Sequence, residues 1–302
     1  MAPATYHRAD SIDEALALLA DHGDEAKVLA GGQSLIPMIS LGLARPGHLV
    51  DIGRLPGLDT VEIGGSVRVG ALVRHATLEW PSHDVGAAAP LLPAAAPYIG
   101  HEAIRARGTF VGSIVHGDPA AEWPAVAVAL DAEIELRAPA GTRTVPAGEF
   151  YLGPLTTDVA EDEIAVAVRL PIAPPRTGAA ALELAYRHGD YAVVGVVAQL
   201  SLADDTRVAD VRIGLFGVGG TPIRARDAEA HAALGPAAFA DAGRAAAKEC
   251  DPVTDATASA AYRRRMVAVH VRRALEQAWE RAQRAATSSS VRDPRRSDPS
   301  VA

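Results

Sequence analysis

The apolar positions follow two rhythms that alternate along the chain. Ser11-Ile12-Asp13-Glu14 has the form of a capping box, and Ile12, Ala15, Leu16 and Leu19 then recur at helical spacing, predicting a helix to about Ala20. Lys27–Ala30 is a short apolar run, read as a buried strand. A glycine-bearing break follows, then a helical pattern over Ser34–Leu43 with Pro37 tolerated in its first turn, then a strand at His48–Ile52. Strand, helix and strand in that order imply a small parallel sheet. Val67–Ala71 predicts a strand, Leu91–Ile99 and Pro119–Leu130 predict helices, and Ile134–Arg137, Thr142–Val145 and Ile164–Leu170 predict strands. Pro171-Ile172-Ala173-Pro174-Pro175 is the best linker candidate. Beyond it lie strands near 181–187, 193–202 and 207–216, then helices near 226–233, 236–248 and 258–284. From Ser288 the chain is Ser, Asp, Arg and Pro without apolar rhythm, and a disordered tail is expected. Periodicity alone gives a mixture of α and β.

Two breaks in this pattern carry the candidate chemistry. One is Ala30-Gly31-Gly32-Gln33-Ser34; the other is Thr109-Phe110-Val111-Gly112-Ser113, continuing to Asp118-Pro119. Each reads as a strand ending in small residues whose backbone N–H groups can face an anion. Glycine permits positive φ and a close approach of ligand to backbone, and Ser34 and Ser113 add hydroxyl donors. Such loops are ready sites for phosphate, and two of them suit a pyrophosphate gripped from both sides. A plain tight turn is the alternative for either loop alone. Neither loop is a P-loop or a G-x-G-x-x-G fingerprint. The residues by themselves stop at a nucleotide-phosphate site of unspecified type.

The segments together resemble a family. Ala30–Met38 is similar to the first flavin-pyrophosphate loop of the FAD-binding medium subunits of molybdenum hydroxylases, the carbon monoxide dehydrogenase and xanthine dehydrogenase type. Ile104–Ser113, with Asp118-Pro119-Ala120-Ala121-Glu122, is similar to the second loop. Arg187–Val196 resembles a third family segment and Ala261–Arg265 a fourth, and the likeness spans about residues 1–285. It implies an α+β chain: a two-lobed p-cresol-methylhydroxylase-type FAD-binding domain at 1–175, with lobes at about 1–55 and 56–175, then a C-terminal flavoprotein domain at 176–287 built from a three-stranded sheet with helices, and a tail at 288–302. It implies FAD as cofactor, held by Ala30, Gly31, Gly32, Gln33, Ser34, Thr109, Val111, Gly112, Ser113, Asp118, Glu122, Arg187, Asp190 and Tyr191. Asp118 and Glu122 would accept from ribityl, ribose or ring N–H groups. Arg187 would stabilise negative charge on reduced flavin, and Tyr191 would shield a ring face. The molybdopterin and two [2Fe–2S] clusters would sit on a large and a small partner subunit of a hetero-oligomer. One departure stands out: Val111 occupies a position where the family usually has Gly, so that position either keeps ordinary extended angles or reshapes the loop.

Composition sharpens this picture. The 302 residues are 49% hydrophobic, enough for two or three domains with buried cores. The net charge of −8 excludes an electrostatic nucleic-acid binder. No apolar run reaches the roughly 18 residues of a membrane helix, and the opening residues lack a secretory h-region, so a cytoplasmic protein is expected. There is one cysteine, Cys250. An iron–sulfur cluster needs about four thiolates, so any cluster in the electron path must lie on another chain.

Other candidates have simpler readings. Gly217-Val218-Gly219-Gly220 invites a dinucleotide reading but lacks the spacing, and a strand-to-helix turn accounts for it. The helix start explains Asp118 and Glu122 without a ligand, Trp123 reads as core, and Arg187, Asp190 and Tyr191 read equally as an edge turn. The ten histidines show no convincing metal spacing, so no metal site is expected. Ser34 and Ser113 lack a nucleophile elbow or triad, so no catalytic residue is named. Arg263, Arg264, Arg265, Arg272 and Arg273 form a basic patch, either a solvated helix face or a docking surface. Two other functions remain open: a stand-alone flavin oxidase or dehydrogenase of the same fold, and a non-catalytic nucleotide-binding module.

Overall fold

The computed structural model describes residues 4–291. The chain opens with a three-stranded parallel sheet in which His48–Asp51 lies between Thr5–Arg8 and Ala26–Leu29. The helix Ile12–His22 lays Leu16 and Leu19 on this sheet against Val50. Its start follows from the capping residues. The Ser11 hydroxyl accepts from the Glu14 N–H at 3.1 Å, and the Glu14 carboxylate accepts from the Asp10 N–H, one residue earlier than in the standard box. The strand Thr5–Arg8 gave no apolar signal because three of its four residues are exposed at the sheet edge.

The next lobe is a five-stranded antiparallel sheet. Its order is Val61–Ile63, Val67–Gly70, Ile164–Leu170, Glu133–Ala138, Gly141–Pro146. Ile164 and Val166 pack into the core of the first lobe, while Ala165, Val168 and Leu170 pack into the central core. A strand buried on both sides reads as a continuous apolar run, which is how this one appears in the sequence.

Three long antiparallel strands follow the proline-rich linker: Thr177–Leu184, Val194–Leu202 and Val208–Phe216. A two-residue fourth strand, Ile223–Arg224, extends the three-stranded sheet that the sequence predicts. Helices Phe239–Glu249 and Ala260–Val291 cover one face, and Glu122–Ala129 covers the other. Glycines allow both approaches. A Cβ on Gly178 would lie 2.0 Å from the Ala278 carbonyl oxygen, and one on Gly214 would lie 2.5 Å from that of Ala125. The helix Glu122–Ala129 is buried on all sides, so it carries no amphipathic stripe. Ala179, Ala181, Val197 and Phe216 of the C-terminal sheet share the central core with Phe110, Trp123 and Ile134.

The last helix continues to Val291, so residues 288–291, expected in the tail, belong to its backbone. The remainder of that predicted tail, 292–302, lies outside the described residues.

Candidate functional site

The two glycine loops touch. Gly31 packs directly on the backbone before Thr109, so that a Cβ at Gly31 would lie 2.5 Å from the Arg107 carbonyl oxygen and 2.8 Å from the Gly108 Cα. Only hydrogen fits there. The first loop leaves the strand Ala26–Leu29, turns through Gly32 at φ +73°, and enters the helix Leu35–Ser40. The Gln33 side-chain amide donates to the Gly31 carbonyl at 3.2 Å and fixes the turn. Among the described residues, no acceptor receives the backbone N–H of Gly32, Gln33 or Ser34. The loop therefore presents three consecutive donors beside the second loop.

The second loop is built differently. It follows a short helix, Glu102–Arg105, rather than the expected strand, and Thr109 only bridges Arg74. Thr109 is the N-cap of the helix Phe110–His116, its hydroxyl accepting from the Gly112 N–H at 3.1 Å. Val111 is helical and buried in the central core with its side chain. Its position thus takes neither extended nor left-handed angles, and a β-branched residue sits there without positive-φ strain. Gly112 sits where a Cβ would come within 2.6 Å of the Thr109 hydroxyl. The helix ends at Gly117, left-handed at φ +65°.

A buried prop holds this loop from behind. The Trp123 indole N–H donates to His75 Nδ1 at 2.9 Å, Phe110 meets Trp123 edge-on, and Gly108 abuts the His75 ring. Burial, reinforced by Arg105 and Arg74, pushes the His75 imidazole down to about 3, which keeps the neutral acceptor form. Trp123 is core, as its sequence position implies. Arg105 pairs with Glu79 at 2.7 Å and donates to the Gly100 carbonyl at 3.0 Å, tying down the chain that enters the loop.

Beyond Gly117 the site becomes acidic. Asp118 caps its own turn by accepting from the Ala120 N–H at 2.8 Å. The carboxyl groups of Glu122 and Glu183 face each other in the interior, and burial raises both above the usual carboxylate range; Glu122 adds to the rise of Glu183, and Asp118 to that of Glu122. Glu183 Oε2 is buried with no hydrogen-bond partner, which disfavours the charged carboxylate there. Tyr191 reaches the same corner, where desolvation and then Asp118 and Glu122 raise its phenol. The turn that carries Tyr191 leans on the segment before the second loop, because a Cβ at Gly189 would lie 2.8 Å from the His101 ring.

Two models of known families match the chain. The FAD-binding domain in molybdopterin dehydrogenase matches residues 2–173, and the CO dehydrogenase flavoprotein C-terminal domain matches residues 180–278. The chain belongs to the FAD-binding medium-subunit family of molybdenum hydroxylases. It is 40% identical to the 6-hydroxypseudooxynicotine dehydrogenase complex subunit alpha of Paenarthrobacter nicotinovorans, over 92% of this chain and 95% of that one. It is 40% identical to the carbon monoxide dehydrogenase medium chain of Hydrogenophaga pseudoflava, over 91% and 97%. The structure of the carbon monoxide dehydrogenase of that organism superposes with a TM-score of 0.88, covering 93% of this chain and 99% of that chain. This family membership establishes the two-lobed flavin fold with its C-terminal sheet-and-helix domain, the FAD cofactor and oxidoreductase function as the flavin subunit of a multi-subunit enzyme. Among the described residues no helix is long and apolar enough to cross a membrane.

The structure brings most of the residues singled out in the sequence together and leaves some apart. Loops one and two meet, and Asp118, Glu122 and Tyr191 form one corner. Arg187 and Asp190 are exposed on the turn, where the Asp190 N–H donates to the Arg187 carbonyl at 3.1 Å and neither side chain forms an ion pair. Arg263 is not part of a basic surface patch: it is buried, donates to the carbonyls of Val193 and Gly217, and pairs with Asp255 at 2.6 Å. The Gly217 turn is a structural corner, its N–H donating to the Pro119 carbonyl at 2.8 Å. Glu183 was missed because a lone acid in a strand has no sequence signal; its partner lies 61 positions away in Glu122.

Proposed function

We propose that this chain is the electron-output module of a three-component enzyme, with FAD lying across the contact between the two glycine loops. The observation that carries this reading is the backbone-on-backbone packing of Gly31 against Arg107–Thr109, which places the free N–H groups of Gly32–Ser34 beside the Thr109–Ser113 turn. Donors arriving from two chain segments suit a diphosphate better than one terminal phosphate, hence FAD rather than FMN. Ala30–Ser34 and Thr109, Val111, Gly112 and Ser113 would hold the pyrophosphate, Val111 by its backbone alone. Asp118, Glu122 and Tyr191 would face the ribityl chain and ring, with Arg187 and Asp190 joining from the exposed turn. The cofactor supplies the redox chemistry. The chain's own residues bind it, orient it and keep water from its buried edge; the Glu122–Glu183 pair holds a proton there. We take residues 1–175 as the flavin domain and 176–287 as the C-terminal domain.

The two relatives named above are an α subunit and a medium chain by name, and the remaining chemistry of this enzyme would reside on two partners. A small subunit would carry the iron–sulfur clusters that the single, buried Cys250 cannot. A large subunit would carry molybdopterin and the substrate pocket. The absence of a membrane-crossing helix among the described residues fits a cytoplasmic complex.

The test uses the purified chain with its flavin. Acid release and chromatography should give FAD. Dithionite should reduce it, whereas aromatic heterocycles, aldehydes and carbon monoxide should not until both partner subunits are added. Turnover of an organic substrate by the isolated chain at about 1 per second or faster would replace this reading with a stand-alone flavin oxidase.

A further inference from the structure

Three of the ten histidines, scattered in sequence, come together in space. His7 lies on the strand Thr5–Arg8, His22 ends the first helix, and His48 opens the strand His48–Asp51. One ring nitrogen from each lies within 4.8 Å of the other two. The register explains the convergence. Thr5 pairs with His48 and His7 with Val50, so His7 and His48 project from the same sheet face as Val50, the face covered by the helix that ends in His22. The His22 and His48 rings stack with centroids 3.6 Å apart and planes inclined by 7°, and His7 Nε2 lies 2.9 Å from His48 Nδ1. Among the described residues the rings have no other hydrogen-bond partner, so imidazole lone pairs are left unused in a half-buried pocket.

We propose that His7, His22 and His48 form a binding site for one transition-metal dication of the zinc class, separate from the flavin loops. The site stands at the opposite end of the small parallel sheet: His48 opens its central strand, whereas the first flavin loop follows the C-terminal end of Ala26–Leu29. Three neutral imidazoles are a common donor set for zinc, copper and nickel. With metal–nitrogen bonds of about 2.0–2.1 Å, tetrahedral ligand atoms sit roughly 3.3 Å apart. The ring nitrogens already lie within 4.8 Å of one another, and one of the two stacked rings, His22 or His48, would tilt out of the stack so that its in-plane lone pair converges on the ion. A water molecule would take the fourth position, and Glu25 is the nearest acid acting on His48. The metal would tie the edge strand, the end of the first helix and the central strand together.

The experiment titrates zinc ions into chelator-treated, flavin-loaded protein by calorimetry and records zinc-edge X-ray absorption on the unsubstituted complex. One equivalent should bind, and the absorption spectrum should show imidazole scattering from three rings. His7→Asn, His22→Asn and His48→Asn should each weaken binding at least about tenfold, with the flavin spectrum unchanged as the check on folding. Variants that bind zinc as tightly as the parent, or an absorption spectrum without multiple imidazoles, would overturn the site; the second result does so even if every variant fails to fold.

Discussion

The two glycine loops look alike as strings and are built on opposite principles. The first depends on what glycine lacks: Gly31 has no room for a Cβ, and Gly32 holds a left-handed turn. The second depends on what its neighbours supply: a threonine cap, a buried histidine–tryptophan prop and a valine anchored in the core. One loop is thus fixed by conformation and the other by packing. A glycine lost from the family pattern is tolerable in the second loop, as Val111 shows, because that position is helical. The same loss in the first loop would collide with backbone.

The widest gap between the loops should appear with Gly31→Val. Its Cβ would fall on the Arg107–Gly108 backbone, which cannot swing aside like a side chain. Overpacking of this kind costs about 3 kcal/mol or more, which corresponds to a loss of at least roughly 100-fold in FAD affinity. Flavin content after gel filtration reads it out. Full FAD occupancy in this variant would remove the inter-loop contact from the binding site.

Val111→Gly tests the other side of the comparison. It restores the usual family residue but deletes a buried side chain from a helix. Lost burial of about 1.5–3 kcal/mol adds to about 1 kcal/mol for glycine in a helix. The thermal unfolding midpoint should fall while FAD affinity stays within about twofold, since one lost hydrogen bond or less is at stake. A selective loss of FAD with unchanged stability would mean that the side chain, not the backbone, serves the ligand.

The second loop also leads into an acid pair, and the first does not. Burial raises Glu122 to about 7, and burial with the neighbouring Glu122 raises Glu183 to about 8. Both values exceed the ordinary 4.5, so the folded state holds more protons than the unfolded state between those limits. The pair's stabilising protonation is complete below about pH 4.5 and is lost as the pH rises towards 8. Glu183→Gln keeps a hydrogen-bonding partner for Glu122 and removes one titration. The fall in unfolding midpoint from about pH 5 to about pH 8.5 should therefore be shallower in the variant. Parallel curves for variant and parent would show that Glu183 is not raised in the folded chain.

How far the sequence revealed this site follows from the same contrast. Conformation leaves marks on a string: Gly31-Gly32 before a helical pattern and the strand–helix–strand order both survive in the structure. Packing across the fold leaves none. The Glu122–Glu183 contact, the turn of Arg263 towards Val193 and Gly217, and the meeting of His7, His22 and His48 arise only when distant segments are brought together. Val111 shows the same limit: its departure from the usual glycine left extended angles or a reshaped loop open, and the position lies in the helix Phe110–His116. The edge strand Thr5–Arg8 escaped because exposure erased its alternation.

The smallest expected effect belongs to Ser113→Ala. Ser113 lies one turn into the capped helix, and its hydroxyl has no hydrogen-bond partner among the described residues. If it donates to the FAD pyrophosphate, its loss should cost about 0.5–1.5 kcal/mol of binding and nothing in stability. That corresponds to roughly a two- to twelvefold rise in the FAD dissociation constant, measured by fluorescence as flavin is titrated into apoprotein. The helix itself should be untouched, because its cap is the Thr109 hydroxyl on the Gly112 N–H rather than anything Ser113 supplies. Thr109→Val is the matched control. It removes the cap, which is worth about 1 kcal/mol to the helix, so it should lower the unfolding midpoint as well as FAD affinity. An affinity change in Ser113→Ala that is accompanied by an equal loss of stability would place the serine with the packing of the loop, and not with the ligand.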